Sequence, residues 1–198
     1  MPRESWNDLL ALDAHPSPFV QHEYLCALHD SGCARAGTGW QWQGITLWRD
    51  GVLQAACPLY LKAHAYGEYV FDWSWAQAHE RFGLPYYPKA VVAVPFTPVP
   101  GARLLARDAA ARTALLQALL RWAQSQALSS LHLLFVQPQD VQACEAAGLR
   151  LRHTVQFHWT NPGHTGFDHF LASLQQDKRK KIRQERRKVE TAGVRFRH

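Results

Sequence analysis

The sequence predicts a mixed α/β fold: a mostly antiparallel central sheet flanked by helices, with a C-terminal helical extension. Three observations carry that expectation. Asp50-Gly51 separates two apolar runs, a strong hairpin signal. Beyond residue 72, helical-period segments alternate with short β-rich runs. The 198 residues are 47% hydrophobic and 19% charged, enough apolar mass for one sizeable core.

The elements follow in order. Residues 5–13 read as a short helix with Ser5 at its N-cap. Phe19, Tyr24, Leu25 and Leu28 mark a second helical stripe that Gly32 ends. The Asp50-Gly51 hairpin comes next. A third helix is expected over residues 72–82, stopped by Gly83 and Pro85, and then a strand over residues 89–94. Asp108 can cap a long helix buried through Leu115, Leu116, Leu119 and Leu120. Residues 131–136 fit a buried central strand. Pro138 and Gly148 bracket a further helix. Residues 149–159 alternate with period two and predict a last long strand. Phe167, Phe170, Leu171 and Leu174 form another helical face, followed by a basic helix to about residue 191. Residues 194–198 read as the start of a further strand.

Bulk properties exclude several classes. There is no apolar run of about 18 residues, so no transmembrane helix is expected. The N-terminus lacks the layout of a secretory signal. Cys26, Cys33, Cys57 and Cys144 lack metal-ligand or disulfide-framework spacing, so no metal is assigned and a reducing cytoplasm is expected. The net charge of +6 is local. Residues 178–188 hold eight cations against Glu185, leaving 14 basic and 15 acidic residues elsewhere. Arguments about anionic partners therefore belong to that block.

Chemistry concentrates between Tyr60 and Leu105, where Glu68, Asp72, His79, Glu80 and Lys89 lie among Tyr66, Tyr69, Phe71, Trp73, Trp75, Tyr86 and Tyr87. Polar groups among aromatics are costly unless paired. Acyl transfer to an amine needs that amine deprotonated and an oxyanion stabilised. A carboxylate held among rings can supply the base, so Asp72 and Glu68 are the catalytic candidates. Asp72 reads equally as a helix cap. Tyr66, Tyr69, Phe71, Trp73, His79, Lys89, Phe96 and Thr97 are the substrate-binding candidates. Lys89 suits either an anionic substrate group or solvent.

The order strand, Pro/Gly loop, helix, strand, helix ending in Ala147-Gly148-Leu149 resembles the GNAT acyltransferase core. The wording H-A-Y-G-E-Y-V-F-D-W-S-W-A, Y-Y-P-K and P-F-T-P-V-P-G-A-R-L-L is similar to that of predicted N-acyltransferases related to Fem-type peptidoglycan aminoacyltransferases. The resemblance implies two tandem GNAT-like domains: residues 1–165 as the first, 166–198 as the helical start of a second that is otherwise missing. It implies a peptide-like or cell-wall precursor as acceptor, and acyl-CoA or aminoacyl-tRNA as donor. One departure stands out. Thr97-Pro98-Val99-Pro100-Gly101-Ala102-Arg103 replaces the usual CoA loop. Gly101 permits close backbone approach and Arg103 can pair a phosphate, making them the cofactor-binding candidates, yet prolines remove N–H donors from a cradle.

The basic helix has three readings: a solvated face, an anionic lipid contact, or a nucleic-acid contact through Lys178, Arg179, Lys181, Arg183, Arg186 and Arg187. Fem-type enzymes draw on tRNA, which bears on the third. Two functions follow: an N-acyltransferase, or a GNAT-shaped module that binds a precursor or RNA without chemistry.

Overall fold

A computed structural model describes residues 2–195. Contacts divide the chain into two units, Met1–Thr154 and Val155–His198.

The first unit is built on one long hairpin that serves two sheets. Its outgoing arm is β1 (Trp40–Trp42) and β2 (Ile45–Arg49); its return is β3 (Val52–Cys57) and β4 (Leu59–Lys62). Asp50 and Gly51 take φ of 51° and 75°, as a tight turn of the hairpin type requires. Each arm bends once. Pro58 has no N–H for a ladder, and across from it both Gln43 and Gly44 donate to the Leu59 carbonyl, at 2.9 and 3.2 Å. Beyond that corner β1 and β4 join β5 (Lys89–Val92) and β7 (Leu131–Leu133) in the order β1-β4-β5-β7, with β5 and β7 parallel and the other pairs antiparallel. Before it, β3 lies between β2 and β6 (Leu105–Ala106), antiparallel to both.

Helices cover both sheets. α1 (Arg3–Leu10) inserts Trp6, Leu9 and Leu10 against Leu53 and Leu105, and the Trp6 indole donates to the Val20 carbonyl at 2.7 Å. α2 spans His22–Asp30 and α3 Trp73–Arg81. α4 (Ala109–Ser125) starts where Asp108 accepts from the Ala111 amide at 2.7 Å, and buries Leu115, Leu116 and Leu119. Each such leucine contributes about 1.5–3 kcal/mol of burial. α5 (Pro138–Ala146) opens on proline, as expected.

Four expectations are corrected. α1 begins at Arg3, so Ser5 lies inside the helix and Pro2 is the cap residue. β7 is a half-buried terminal strand of its sheet, shorter than residues 131–136. Residues 149–159 form no strand: Val155 is 80% and Phe157 98% exposed, because no partner edge meets their alternating side chains. The strand expected over residues 194–198 is absent at 194 and 195, and residues 196–198 lie outside the described residues.

The second unit holds α6 (Phe167–Ala172) and α7 (Gln176–Thr191). Trp159 meets His164 and Phe170 in ring contacts, and Arg186 lies 4.3 Å over the Phe167 ring. α7 buries no residue. No helix among the described residues is long and apolar enough to cross a membrane.

Candidate functional site

Strand register assembles the site. Lys62 on β4 stands opposite Lys89 on β5, and Tyr60 opposite Val91, which in turn stands opposite His132 on β7. Side chains alternate along a strand, so Lys62, Tyr60, Lys89, Val91 and His132 share one face. Trp40 and Trp42 join them from β1. The other face of β5, Ala90 and Val92, packs on Leu104, Leu115 and Leu116.

Two ammonium groups on adjacent strands need counter-charge, and the loop between β4 and α3 supplies it. Lys89 Nζ donates to Glu68 Oε2 at 2.8 Å and, more closely, to Asp72 Oδ2. The Tyr86 hydroxyl donates to the same Asp72 oxygen at 2.6 Å. Glu68, Asp72 and Lys89 are at most 3% exposed. Lys62 Nζ donates to the Tyr66 carbonyl at 3.1 Å and lies 3.6 Å over the Trp40 ring. Gly67, at φ +81°, turns the loop; a Cβ there would come within 2.6 Å of Phe96. Tyr69 and Phe96 hold left-handed backbones at φ 58° and 59°, a costly conformation for bulky residues that collects at functional sites.

The electrostatics separate the two carboxyls. Burial pushes Glu68 upward, and Lys89 offsets this only in part. Burial acts upward on Asp72 too, but its hydrogen bonds from Lys89 and Tyr86 outweigh it and hold the carboxyl below its ordinary value. Burial brings Lys62 down to about 8, with Glu68 opposing and Lys89 reinforcing. Burial brings His132 down to about 4, and Lys89 adds to that.

Tyr86, though buried, also reaches the wall of a groove. With His64, Tyr66, Trp73, Glu80 and Tyr87 it lines this groove of about 790 Å³. Four buried polar atoms on this groove and in the network behind it find no hydrogen-bond partner among the described residues: His64 Nδ1, Glu68 Oε1, Asp72 Oδ1 and His79 Nδ1. Buried polar groups are rarely left unpaired. Their concentration at one place marks it as a site.

The structure thus gathers Glu68, Asp72 and Lys89 into one network, puts Tyr66 and Trp73 on the groove wall, and packs His79 on Tyr86 at 5.0 Å between ring centres. Asp72 makes no side-chain cap bond to α3, because its carboxylate is turned to Lys89 and Tyr86. Lys89 is neither a solvated strand end nor a free anchor for an anion; it is spent on two carboxylates. Tyr69 and Phe71 are exposed, and neither is among the described residues lining the groove. Phe96 packs on Trp40, and the Thr97 hydroxyl bonds the Pro95 carbonyl at 2.9 Å.

The loop expected to meet phosphate is built differently. Arg103 is 1% exposed, and its guanidinium donates to the carbonyls of Leu134, Ala102 and Val99. The Gly101 amide donates to the Phe135 carbonyl at 3.0 Å. Both residues fasten the loop to the strand beside it and turn no phosphate-binding group outward.

Tyr86 and Glu80 belong to the aromatic and charged cluster of the sequence without being site residues predicted from it, and Lys62, His64 and His132 are not predicted. Lys62 carries a signal: two residues beyond Tyr60 on the same strand, it falls on the same face. His132 carries none, since a histidine in an apolar run does not show which face it takes.

The chain is similar to the apo crystal structure of aminoglycoside antibiotic 6'-N-acetyltransferase AAC(6')-IG from Acinetobacter haemolyticus, with a TM-score of 0.40 and 10% identity over 81% of this chain and 92% of that one. No curated protein sequence matches it significantly. The family model for FemAB-like proteins, described as peptidoglycan biosynthesis/recognition, matches residues 1–198. The chain belongs to the FemAB-like family of peptidoglycan biosynthesis/recognition proteins.

Proposed function

We propose that this protein is an N-acyltransferase that moves an acyl or aminoacyl group from acyl-CoA or aminoacyl-tRNA to an amine of a peptide-like or cell-wall precursor. The observation that carries the reading is Tyr86, which lines the groove while its hydroxyl donates to a buried Asp72 held by Lys89. In the reaction the acceptor first gives up one ammonium proton to solvent, and the neutral amine nitrogen attacks the acyl carbonyl. A C–N bond forms, the thioester or ester bond breaks, and the leaving sulfur or oxygen takes up the proton that the amine gives to the Tyr86–Asp72 pair, which returns both residues to their starting state. The amine proton passes to the Tyr86 oxygen as the Tyr86 proton moves to Asp72. Lys89, itself anchored by Glu68, holds Asp72 in place. Family membership supports this reading, as does the acyl-transfer requirement for a proton acceptor at the reacting amine. In the same reading the basic face of α7 receives the donor tRNA, and residues 166–198 begin a second domain.

The test is acyl transfer measured with acetyl-CoA and with charged tRNA, for the protein and for Tyr86→Phe. Loss of the relay is expected to lower kcat about 10²-fold with the fold intact. Transfer unaffected by Tyr86→Phe removes Tyr86 from the chemistry.

A second reading, a binding module without chemistry, is favoured by the inward-turned Gly101 and Arg103. It is chosen if neither donor is consumed while a precursor still binds.

A further inference from the structure

We infer that the groove beside Tyr86 recognises its ligand as a cation, so that the acceptor enters as an ammonium group and the acyl donor's phosphates bind elsewhere. Four aromatic rings, Tyr66, Trp73, Tyr86 and Tyr87, stand on its wall. Ring faces attract ammonium groups and repel anions. Glu80 is the charged side chain among the described residues that line it; no lysine or arginine does. His64, the remaining titratable neighbour on that wall, is held below its ordinary value, first by burial and then by Lys62, and so stays neutral at pH 7. Directly behind the wall, Glu68 Oε1 and Asp72 Oδ1 lack partners, since Lys89 engages only the other oxygen of each. On the groove wall itself the charge is Glu80 alone, while behind it Glu68 and Asp72 are matched by Lys89, with Lys62 and Arg152 nearby. An anionic ligand would meet ring faces and the Glu80 carboxylate; an ammonium group meets in both a complement to its charge.

The assignment rests on the transferase reading for the role of the bound amine, not for its binding. The probe is therefore simple: cadaverine, with glutarate and pentan-1-ol as an anion and a neutral chain of matching length, titrated by calorimetry and tryptophan fluorescence. Cadaverine is expected to bind at least tenfold more tightly than either control. Glu80→Gln and Trp73→Ala, both at exposed positions, are each expected to weaken it about three- to tenfold. Glutarate or pentan-1-ol binding as well as cadaverine, or cadaverine binding indifferent to both variants, overturns the inference. Cadaverine bound but never acylated by either donor, with no other amine acylated, counts against the transferase reading and leaves the cation site standing. Transfer to other amines without cadaverine binding does the reverse.

Discussion

The Lys89 ammonium bridges two carboxylates at a depth where none of the three would be tolerated alone. Removing one member of a buried ion network strands the others, at a cost of about 3–5 kcal/mol. Lys89→Met is therefore expected to lower stability by about that amount, read from the urea midpoint. Adding Glu68→Gln and Asp72→Asn is expected to restore most of it, because the charges needing a partner are gone. A triple variant no more stable than the single one would show that Lys89 acts through packing. Two further buried groups give opposite pH dependences. His132 sits at about 4 when folded against an ordinary 6.5, so between those values the unfolded chain binds the extra proton and stability rises with pH. Asp140 is pushed up to about 6 from 3.8, burial outweighing its bonds from the Arg103 and Leu104 amides and its pairing with Arg112, so the folded chain binds the extra proton and stability falls as pH rises across that window. In Asp140→Asn, urea midpoints between pH 4 and 6 are expected to climb with pH; in His132→Gln they are expected to fall. Equal slopes in both variants would contradict the assignment.

Among the elements, the loop between β4 and α3 most depends on one residue. Gly67 combines φ +81° with side chains so near that a Cβ would meet Phe96 at 2.6 Å, and its carbonyl accepts from the Phe96 amide at 3.1 Å. Gly67→Ala is expected to destabilise by roughly 2–3 kcal/mol, backbone strain and steric conflict adding. Gly51→Ala, at φ +75° with open space around it, is expected to cost only about 1 kcal/mol. Comparable denaturation midpoints for the two would rule out the steric part. The same contrast explains what could be read in advance. The hairpin turn, the Asp108 cap and the Pro138 start are local signals, and each matches a local bond or dihedral in the structure. Glu68, Asp72 and Lys89 were legible as a group because charge among aromatics is unusual in a strand-rich run. Their pairing was not, since it depends on which strands sit side by side. Residues 149–159 misled for the reverse reason: the alternation was there, but a strand also needs a neighbour, and sequence spacing does not supply one. Arg103 misled because an arginine after Pro-Gly reads alike whether it points out to phosphate or in to carbonyls.

At the scale of the whole molecule, apolar burial and positive charge are segregated along the chain. Among the described residues every buried apolar one except Leu171 lies before residue 155, whereas residues 178–188 carry eight of the 22 lysines and arginines. A fragment ending at Thr154 is therefore expected to keep a cooperative thermal transition. A peptide of residues 155–198 is expected to be only partly helical by circular dichroism, because a 16-residue helix without a buried face is marginal in water. Polyanion binding is expected to divide the opposite way. If α7 meets tRNA through Lys178, Arg179, Lys181, Arg183, Arg186 and Arg187, the full chain should bind with log K falling against log salt at a slope of about −4 to −5, the value for six neutralised phosphates. The fragment ending at Thr154 should lose that binding. Replacing Lys178 and Arg179 by Gln should lower the steepness by about 1.5, without changing the thermal transition of residues 1–154. A slope near zero, or binding kept by the fragment, would return α7 to a solvated face and leave acyl-CoA as the donor to pursue.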